Sequence, residues 1–299
     1  MLDLRRLTLL HQFSLRGSIA ATAEALGFSP SAVSQQLAVL ERELGVELLE
    51  RTPRSARLTP AGRLLVERAG PVLTAAEALK SDVLALGAKA AGPVTMGVIP
   101  SVAAPVAGRV AEVAGANPEI AMTLHEAETA HAVALLERGD LDIAIIDEWP
   151  GVSVDTFDGL RRHEIACDPL VLAVPAGEGF APEGTLTAVQ LRGLVRGKTW
   201  LCAPAGHPSR DHTDQLLRRA AIETSGPWEF EGLLTIATLV ADGTGVAVLP
   251  RSTLRFVQGR VDGHPLGGAR RLHAAVLTSH ERRPAIAAVL ESLLAEPPI

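Results

Sequence analysis

Apolar positions recur with helical spacing through the first third of the chain. Leu4, Leu7, Leu10 and Phe13 mark an amphipathic helix closed by Arg16-Gly17, and Ser18 opens a second helix that Gly27 closes. Val33, Leu37, Leu40 and Leu44 then recur at steps of four, three and four, so one side of a helix starting near Pro30 is apolar and faces a core. Ser29 supplies a capping oxygen for that helix, and the fixed φ of Pro30 suits its first position. The run from Gly17 to Gly45 thus reads as helix, tight turn, helix. Past Gly45, Val46 to Leu49 and Ala56 to Leu58 read as two short strands around a turn at Pro53-Arg54, which makes a wing.

Thr59-Pro60 starts another helix that reaches about Leu86, a length of roughly 40 Å at 1.5 Å per residue. Along it Leu65, Val72, Leu79 and Leu86 stand seven apart, with Ala69, Ala76 and Val83 between them. Such a seam serves a second helix, so pairing is expected. Gly70-Pro71 interrupts the seam and predicts a kink, because Pro71 removes a backbone hydrogen bond and crowds the preceding turn.

From Ala88 to Pro93 the chain is small and turn-prone, and beyond it the pattern changes. Strands are predicted at Val94 to Ile99, Ile120 to His125 and Leu141 to Ile146, with helices at Ser101 to Ala114 and Thr129 to Arg138 between them. Further strands fall at Leu170 to Val174, Thr199 to Cys202, Trp228 to Glu231, Val246 to Leu249 and Leu272 to Leu277. Helices fall at Ser209 to Ile222, Thr235 to Ala241 and Arg283 to Leu294. Strands alternating with helices indicate parallel βαβ units.

Composition adds to this picture without changing it. A chain of 299 residues with 47% hydrophobic content can fill two or three cores. No apolar run reaches the eighteen or so residues of a membrane helix, and no secretory leader pattern opens the chain, so a cytoplasmic protein without a membrane partner is expected. The net charge of −6 is uneven: residues 1–90 hold 11 of the 28 Lys and Arg and 9 of the 34 Asp and Glu, a balance of +2 against −8 for the remainder. A near-neutral head still binds phosphates when its cations cluster, as Arg51, Arg54 and Arg57 do.

Candidate chemistry sits opposite the leucines of the third helix. Ser31, Ser34 and Gln35 fall on its polar face, where short hydroxyls and an amide reach phosphates and base edges in a major groove. Its start, Ser29-Pro30, would be presented to DNA, since free amides at a helix start also favour a phosphate. Arg51, Arg54 and Arg57 on or beside the wing would meet the sugar-phosphate backbone. Enzymatic signatures are missing. The GxG of Asp242 to Ala247 precedes a strand instead of joining strand to helix, and no nucleophile elbow or P-loop occurs. Nine scattered histidines and two cysteines, Cys167 and Cys202, fit no metal or disulfide spacing, so neither metal nor cofactor is expected.

The segment GSIAATAEALGFSPSAVSQQLAVLERELGVELLERTPRSARLTPAG resembles the LysR-type transcriptional regulator family, with that family's landmarks in order and without gaps. These include Gly17-Ser18, Ala20 to Leu26, Ser34, Gln36, Leu40-Glu41, Leu44-Gly45, Leu49, Arg51-Thr52, Leu58-Thr59 and Ala61-Gly62. Pro30-Ser31 departs from the Gln-Pro common there, which bears on base preference and not on docking mode. A looser similarity to the family's effector domain is carried by GDLDIAI from Gly139, DPLVLAVP from Asp168 and VADGTGVAVLP from Val240.

The resemblance implies a winged helix-turn-helix, mainly α, over residues 1–60, a long linker and dimerisation helix over 61–88, and an α/β two-lobed effector domain like the periplasmic binding proteins over 92–299. Lobe I would span about 92–165 and 268–299, and lobe II about 168–265. It further implies a homodimer through the linker helix, tetramers, and double-stranded promoter DNA as partner. A small-molecule effector would lie between the lobes, at Pro100, Ser101, Val102, Thr129, Ile146, Cys202 and Ala203, with Leu234 and Thr235 closing the cleft. Ser101 and Thr129 at helix starts would hold it. Mostly apolar walls with two hydroxyls suit a small, partly apolar metabolite, an anion included. Some relatives carry a reactive cysteine after a Gly-His pair; here Gly206-His207 is followed by Pro208. The competing reading is a small-molecule sensor whose helical head makes protein contacts instead of DNA contacts.

Overall fold

The computed structural model describes residues 2–52, 55–85, 89–154, 156–177, 184–223, 226–297 and 299. They fall into two compact units, one of Met1–Ala88 with Phe157–Leu160 and Leu277–Arg283, the other of the remainder. No helix among the described residues is long and apolar enough to cross a membrane.

The first unit opens with three helices, α1 (Leu4–Arg16), α2 (Ile19–Leu26) and α3 (Pro30–Leu44). Asp3, Ser18 and Ser29 cap them, and Gly17, Gly27 and Gly45 end them in left-handed conformation. Leu7, Leu10, Phe13, Ala23, Val33, Leu37 and Leu40 close one core. The wing pairs β1 (Leu49–Thr52) with β2 (Ser55–Leu58), in register from Leu49 opposite Leu58 to Thr52 opposite Ser55. Its first strand starts later than the sequence predicts, because Val46 to Leu48 wrap the end of α3. There the Glu41 carboxylate accepts from the amides of Leu48 and Leu49 at 2.9 and 3.0 Å. Pro53 and Arg54, the expected turn, lie outside the described residues.

Helix α4 (Pro60–Ala85) runs through Pro71 without a break, and Leu86, the last expected seam position, lies outside the described residues. Its first turns belong to the head, with Ala69 buried in the same core and Leu65, Val66 and Leu73 packed against it. Two later segments also group with this unit, Ser81 Oγ donating to Ser279 O at 2.6 Å and Arg282 pairing with Asp82 at 3.0 Å.

In the second unit, β3 (Gly92–Val98), α5 (Ala103–Ala116), β4 (Ile120–Glu126), α6 (Thr129–Arg138) and β5 (Ile143–Glu148) form parallel βαβ units. Then follow β6 (Leu160–Pro175), α7 (Ala188–Val195), β7 (Leu201–Cys202), α8 (Pro208–Arg219), β8 (Trp228–Glu229), α9 (Leu233–Ala241), β9 (Ala247–Pro250), β10 (Val261–Leu277) and α10 (Pro284–Ala295). One six-stranded sheet runs β4-β3-β5-β10-β6-β9, and β7 pairs with β8.

Strands β6 and β10 are far longer than predicted. Their first halves carry polar residues such as Arg161, Arg162 and His163, which leave no apolar signal. Each strand serves two cores: Ile165 and Leu272 pack with Val94, Ile143 and Val289, whereas Leu170 and Leu266 pack with Trp200, Ala237 and Leu249. The chain therefore passes between lobes within 165–170 and 266–272.

Candidate functional site

Two places gather the polar groups singled out in the sequence. On the head, Val33, Leu37 and Leu40 are buried behind α3 while Pro30, Ser31 and Gln35 are exposed in front and Ser34 is half-buried. The Ser29 hydroxyl is engaged as the cap, accepting from Ala32 N at 3.2 Å and lying 3.0 Å from Ser31 Oγ. Beside the helix, Arg57 on β2 is exposed. Arg51 is held differently from the expectation: its guanidinium donates to Glu41 Oε2 at 3.1 Å, on the same carboxylate that fixes the wing's first amides. Arg54 lies outside the described residues. Sequence reading passed over Arg6, which donates to Gln36 Oε1 at 3.0 Å and pairs with Glu43, clamping α1 to α3.

The second place lies where β6 and β10 pass between lobes. Arg270 on β10 is fully buried, with Nη1 on Ser101 Oγ at 2.8 Å and Asp147 Oδ2 at 3.3 Å. Its Nε and Nη2 reach Asp168 Oδ2 on β6 at 3.1 and 3.0 Å. Asp168 also accepts from the Ser252 amide at 3.0 Å and hydroxyl at 2.6 Å. Asp147 in turn accepts from Thr129 Oγ1 at 2.6 Å and Trp149 Nε1 at 2.8 Å, and the Arg270 guanidinium lies 5.8 Å from the Trp149 ring. One guanidinium thus meets two carboxylates with the oxygens partnered, the condition under which buried ions are tolerated. Toward lobe II, His207 Nε2 lies 3.7 Å from Glu128 Oε2, and His212 Nδ1 is 2.9 Å from Pro150 O.

Ser101 and Thr129 come together here, but neither acts as a free helix-start hydroxyl. Ser101 lies in a 3₁₀ turn, Pro100–Val102, ahead of α5, and its oxygen accepts from Arg270. Thr129 opens α6 but spends its hydroxyl on Asp147. Val102 is core, as is Ile146, which pairs in register with His273. Cys202 and Ala203 are buried in lobe II, where Arg210 Nη1 donates to Cys202 Sγ at 3.3 Å and to Ala203 O at 3.2 Å. That cation is eight residues away in sequence, and burial still pushes the thiol's pKa up against it. Leu234 is half-buried and Thr235 exposed on α9. Asp147, Trp149, Asp168, Ser252 and Arg270 were not picked out as site residues. Only an acidic residue ending an apolar strand, as Asp147 does, gave a signal, and its partner Arg270 is 123 positions away.

The chain matches two family models: bacterial regulatory helix-turn-helix protein, lysR family, over residues 4–63, and LysR substrate binding domain over residues 87–298. It is 31% identical over 291 residues to a probable hydrogen peroxide-inducible genes activator of Streptomyces viridosporus, covering 93% of this chain and 89% of that protein. To the DNA-binding transcriptional dual regulator OxyR of Escherichia coli it is 30% identical, covering 76% and 72%. Among solved structures, full-length OxyR of Pseudomonas aeruginosa, a variant with a cysteine replaced by aspartate, superposes with a TM-score of 0.71 at 24% identity, covering 100% and 96%. CbnR, described as a LysR family transcriptional regulator, superposes at 0.54 with 21% identity, covering 98% and 100%.

Proposed function

The chain belongs to the LysR family of bacterial regulatory helix-turn-helix proteins, and from that premise we propose how it works as a DNA-binding transcriptional regulator. Pro30, Ser31, Ser34 and Gln35 read base edges in a major groove, and Arg57 on the wing, together with Arg54, holds the phosphates. The observation that carries this is the two-sidedness of α3, with leucines buried behind and an exposed, uncharged polar face in front. Gln35→Ala is expected to cost about 1–3 kcal/mol on a specific site, and Arg57→Ala to weaken all duplexes alike. Salt-titrated binding to a selected and a random duplex checks this. Equal losses for Gln35→Ala on both would sink the base-reading role, and no salt dependence at all would favour a head that contacts protein.

Self-association follows from α4. Val72, Leu79 and Val83 are 51%, 67% and 61% exposed, a stripe left over once Leu65 and Ala69 have gone to the head's core. A twofold mate covers it, giving dimers that assemble into tetramers on promoter DNA in the cytoplasm.

The effector acts at the Arg270 cluster. An effector reaching Ser101 and Thr129 there competes with Arg270 and Asp147 for their hydroxyls, and so loosens the passage between lobes. Only a ligand that prefers the loosened arrangement shifts the population. Relatives are named for induction by hydrogen peroxide. In this chain the residue after Gly206-His207 is Pro208, at the start of α8, and burial holds the Cys202 thiol protonated. We therefore assign its signal to a reversibly bound metabolite and not to the Cys202 thiol; Cys167, exposed on β6, is tested beside it. Peroxide treatment should leave DNA binding unchanged. A peroxide response abolished by Cys202→Ser or by Cys167→Ser would overturn that assignment.

A further inference from the structure

We propose that lobe II carries a second ligand site, outside the Arg270 cluster, that takes a small molecule joining a planar ring to two or more phosphates, of nucleotide class. A cavity of about 500 Å³ is lined by Arg192, Arg196, Lys198, Thr199, Ala221 and Trp228, among others, a volume within the usual range for small-ligand pockets. Three of its side chains are cationic and Glu223 is the carboxylate on its rim, whereas residues 91–299 as a whole carry a net charge of −8. Positive charge is therefore concentrated here against the sign of its surroundings, which focuses an anion.

An anion between the two arginines would offset a like-charge repulsion. Arg192 and Arg196 are four apart at the end of α7, a spacing at which like charges repel, and Lys198 follows on the same rim. Cations near a helix end do complement its dipole, and Arg192 donates to Ala188 O at 3.3 Å. That accounts for Arg192 near the helix end, not for Arg196 set beside it on the same wall.

The ring is assigned from Trp228. Trp149 and Trp200 are 1% and 2% exposed, but Trp228 is 52% exposed and forms part of the cavity wall. Its backbone is pinned, with the amide donating to Trp200 O at 2.9 Å, so the indole is presented by a fixed strand. An aromatic face beside cations is the arrangement that stacks a base and holds its phosphates. Ala221 on the same wall has φ +51° because it closes α8, its amide donating to Arg218 O at 3.1 Å and that of Ile222 to Leu217 O at 3.0 Å, which fixes the wall's backbone.

The test uses the full-length protein and its own tryptophan fluorescence, since Trp228 is the exposed indole of the three. ATP and GTP should quench it saturably at constant ionic strength, with adenosine alone and pyrophosphate alone each binding at least tenfold more weakly. Equilibrium dialysis with labelled ATP should show roughly tenfold weaker binding for Trp228→Leu, the effect of losing one stacking face. Arg192→Glu with Arg196→Glu should abolish it. All these side chains are exposed, so the melting temperature should fall by only a few degrees, the cost of reversed charge at the end of α7, which separates loss of the site from loss of the fold. Quenching matched by sulfate, or undiminished ATP binding in the double variant, overturns the proposal. So does a double variant that loses promoter affinity while the parent binds no ATP, which would make the patch a DNA contact. DNA binding read separately through Gln35→Ala keeps this outcome distinct from failure of the head's assignment.

Discussion

At the scale of single residues, three positions carry testable consequences. Gly62 stands where a Cβ would lie 2.2 Å from the Leu48 carbonyl oxygen, a backbone atom that cannot give way. Gly62→Ala should destabilise the head by about 1–3 kcal/mol, the cost of overpacking, visible as a lower midpoint in urea unfolding. Arg270 is buried between Asp147 and Asp168. Arg270→Met leaves carboxylates buried without a countercharge and should cost about 3–5 kcal/mol, whereas Arg270→Met combined with Asp168→Asn should recover part of the loss in the same measurement. His273 is buried with no hydrogen-bond partner for either ring nitrogen, and burial lowers its pKa from 6.5 although Glu148 lies 3.4 Å away and Glu164 also attracts a proton; Arg162 and Arg271 oppose them. The folded chain then binds fewer protons at this ring than the unfolded chain does. Stability present above pH 6.5 should be lost as pH falls below it, and His273→Phe should flatten that acid limb in unfolding curves taken at several pH values.

At the scale of elements, the periodic signals and the structure agree where one face of a helix is buried. Helix α3 was legible because Val33, Leu37 and Leu40 repeat and because Ser29-Pro30 and Gly45 punctuate its ends. Helix α7 went unread although Thr187 and Gln190 form a capping box, since only Leu191 and Val195 of its eight residues are buried. The wing depends on Glu41, which no strand pattern announces. Glu41→Gln keeps one acceptor and should be mild. Glu41→Ala strands two amides and frees Arg51, and should lower DNA affinity for all sequences in a salt-controlled binding assay. For α4, Leu79→Lys removes an apolar contact worth about 1.5–3 kcal/mol per copy, so sedimentation should show a dimer weakened by about two orders of magnitude or more.

At the scale of the whole molecule, regulation needs two arrangements whose populations an effector can bias, and the passage through β6 and β10 is where this chain can supply them. Asp168 and Arg270 sit at the two crossings, so weakening their pair, by ligand or by Arg270→Lys, should change how strongly effector and DNA influence each other. Binding DNA with and without effector in parent and Arg270→Lys chains measures that coupling directly. Amino-acid order alone determined the helix-turn-helix, the long helix after it, the alternation of strands and helices, and the family. Each of these is written in local spacing: turns of 3.6 residues and the caps that end them lie within a few positions of one another. Only the tertiary structure decided that Ser101 faces Arg270, that Arg51 answers to Glu41, that Arg210 reaches Cys202, and that Trp228 and three cations line one cavity. Most of those partners are tens to more than a hundred residues apart, even the nearest are not announced by a periodic pattern, and a charge buried by a distant strand leaves no periodic mark in the chain that carries it.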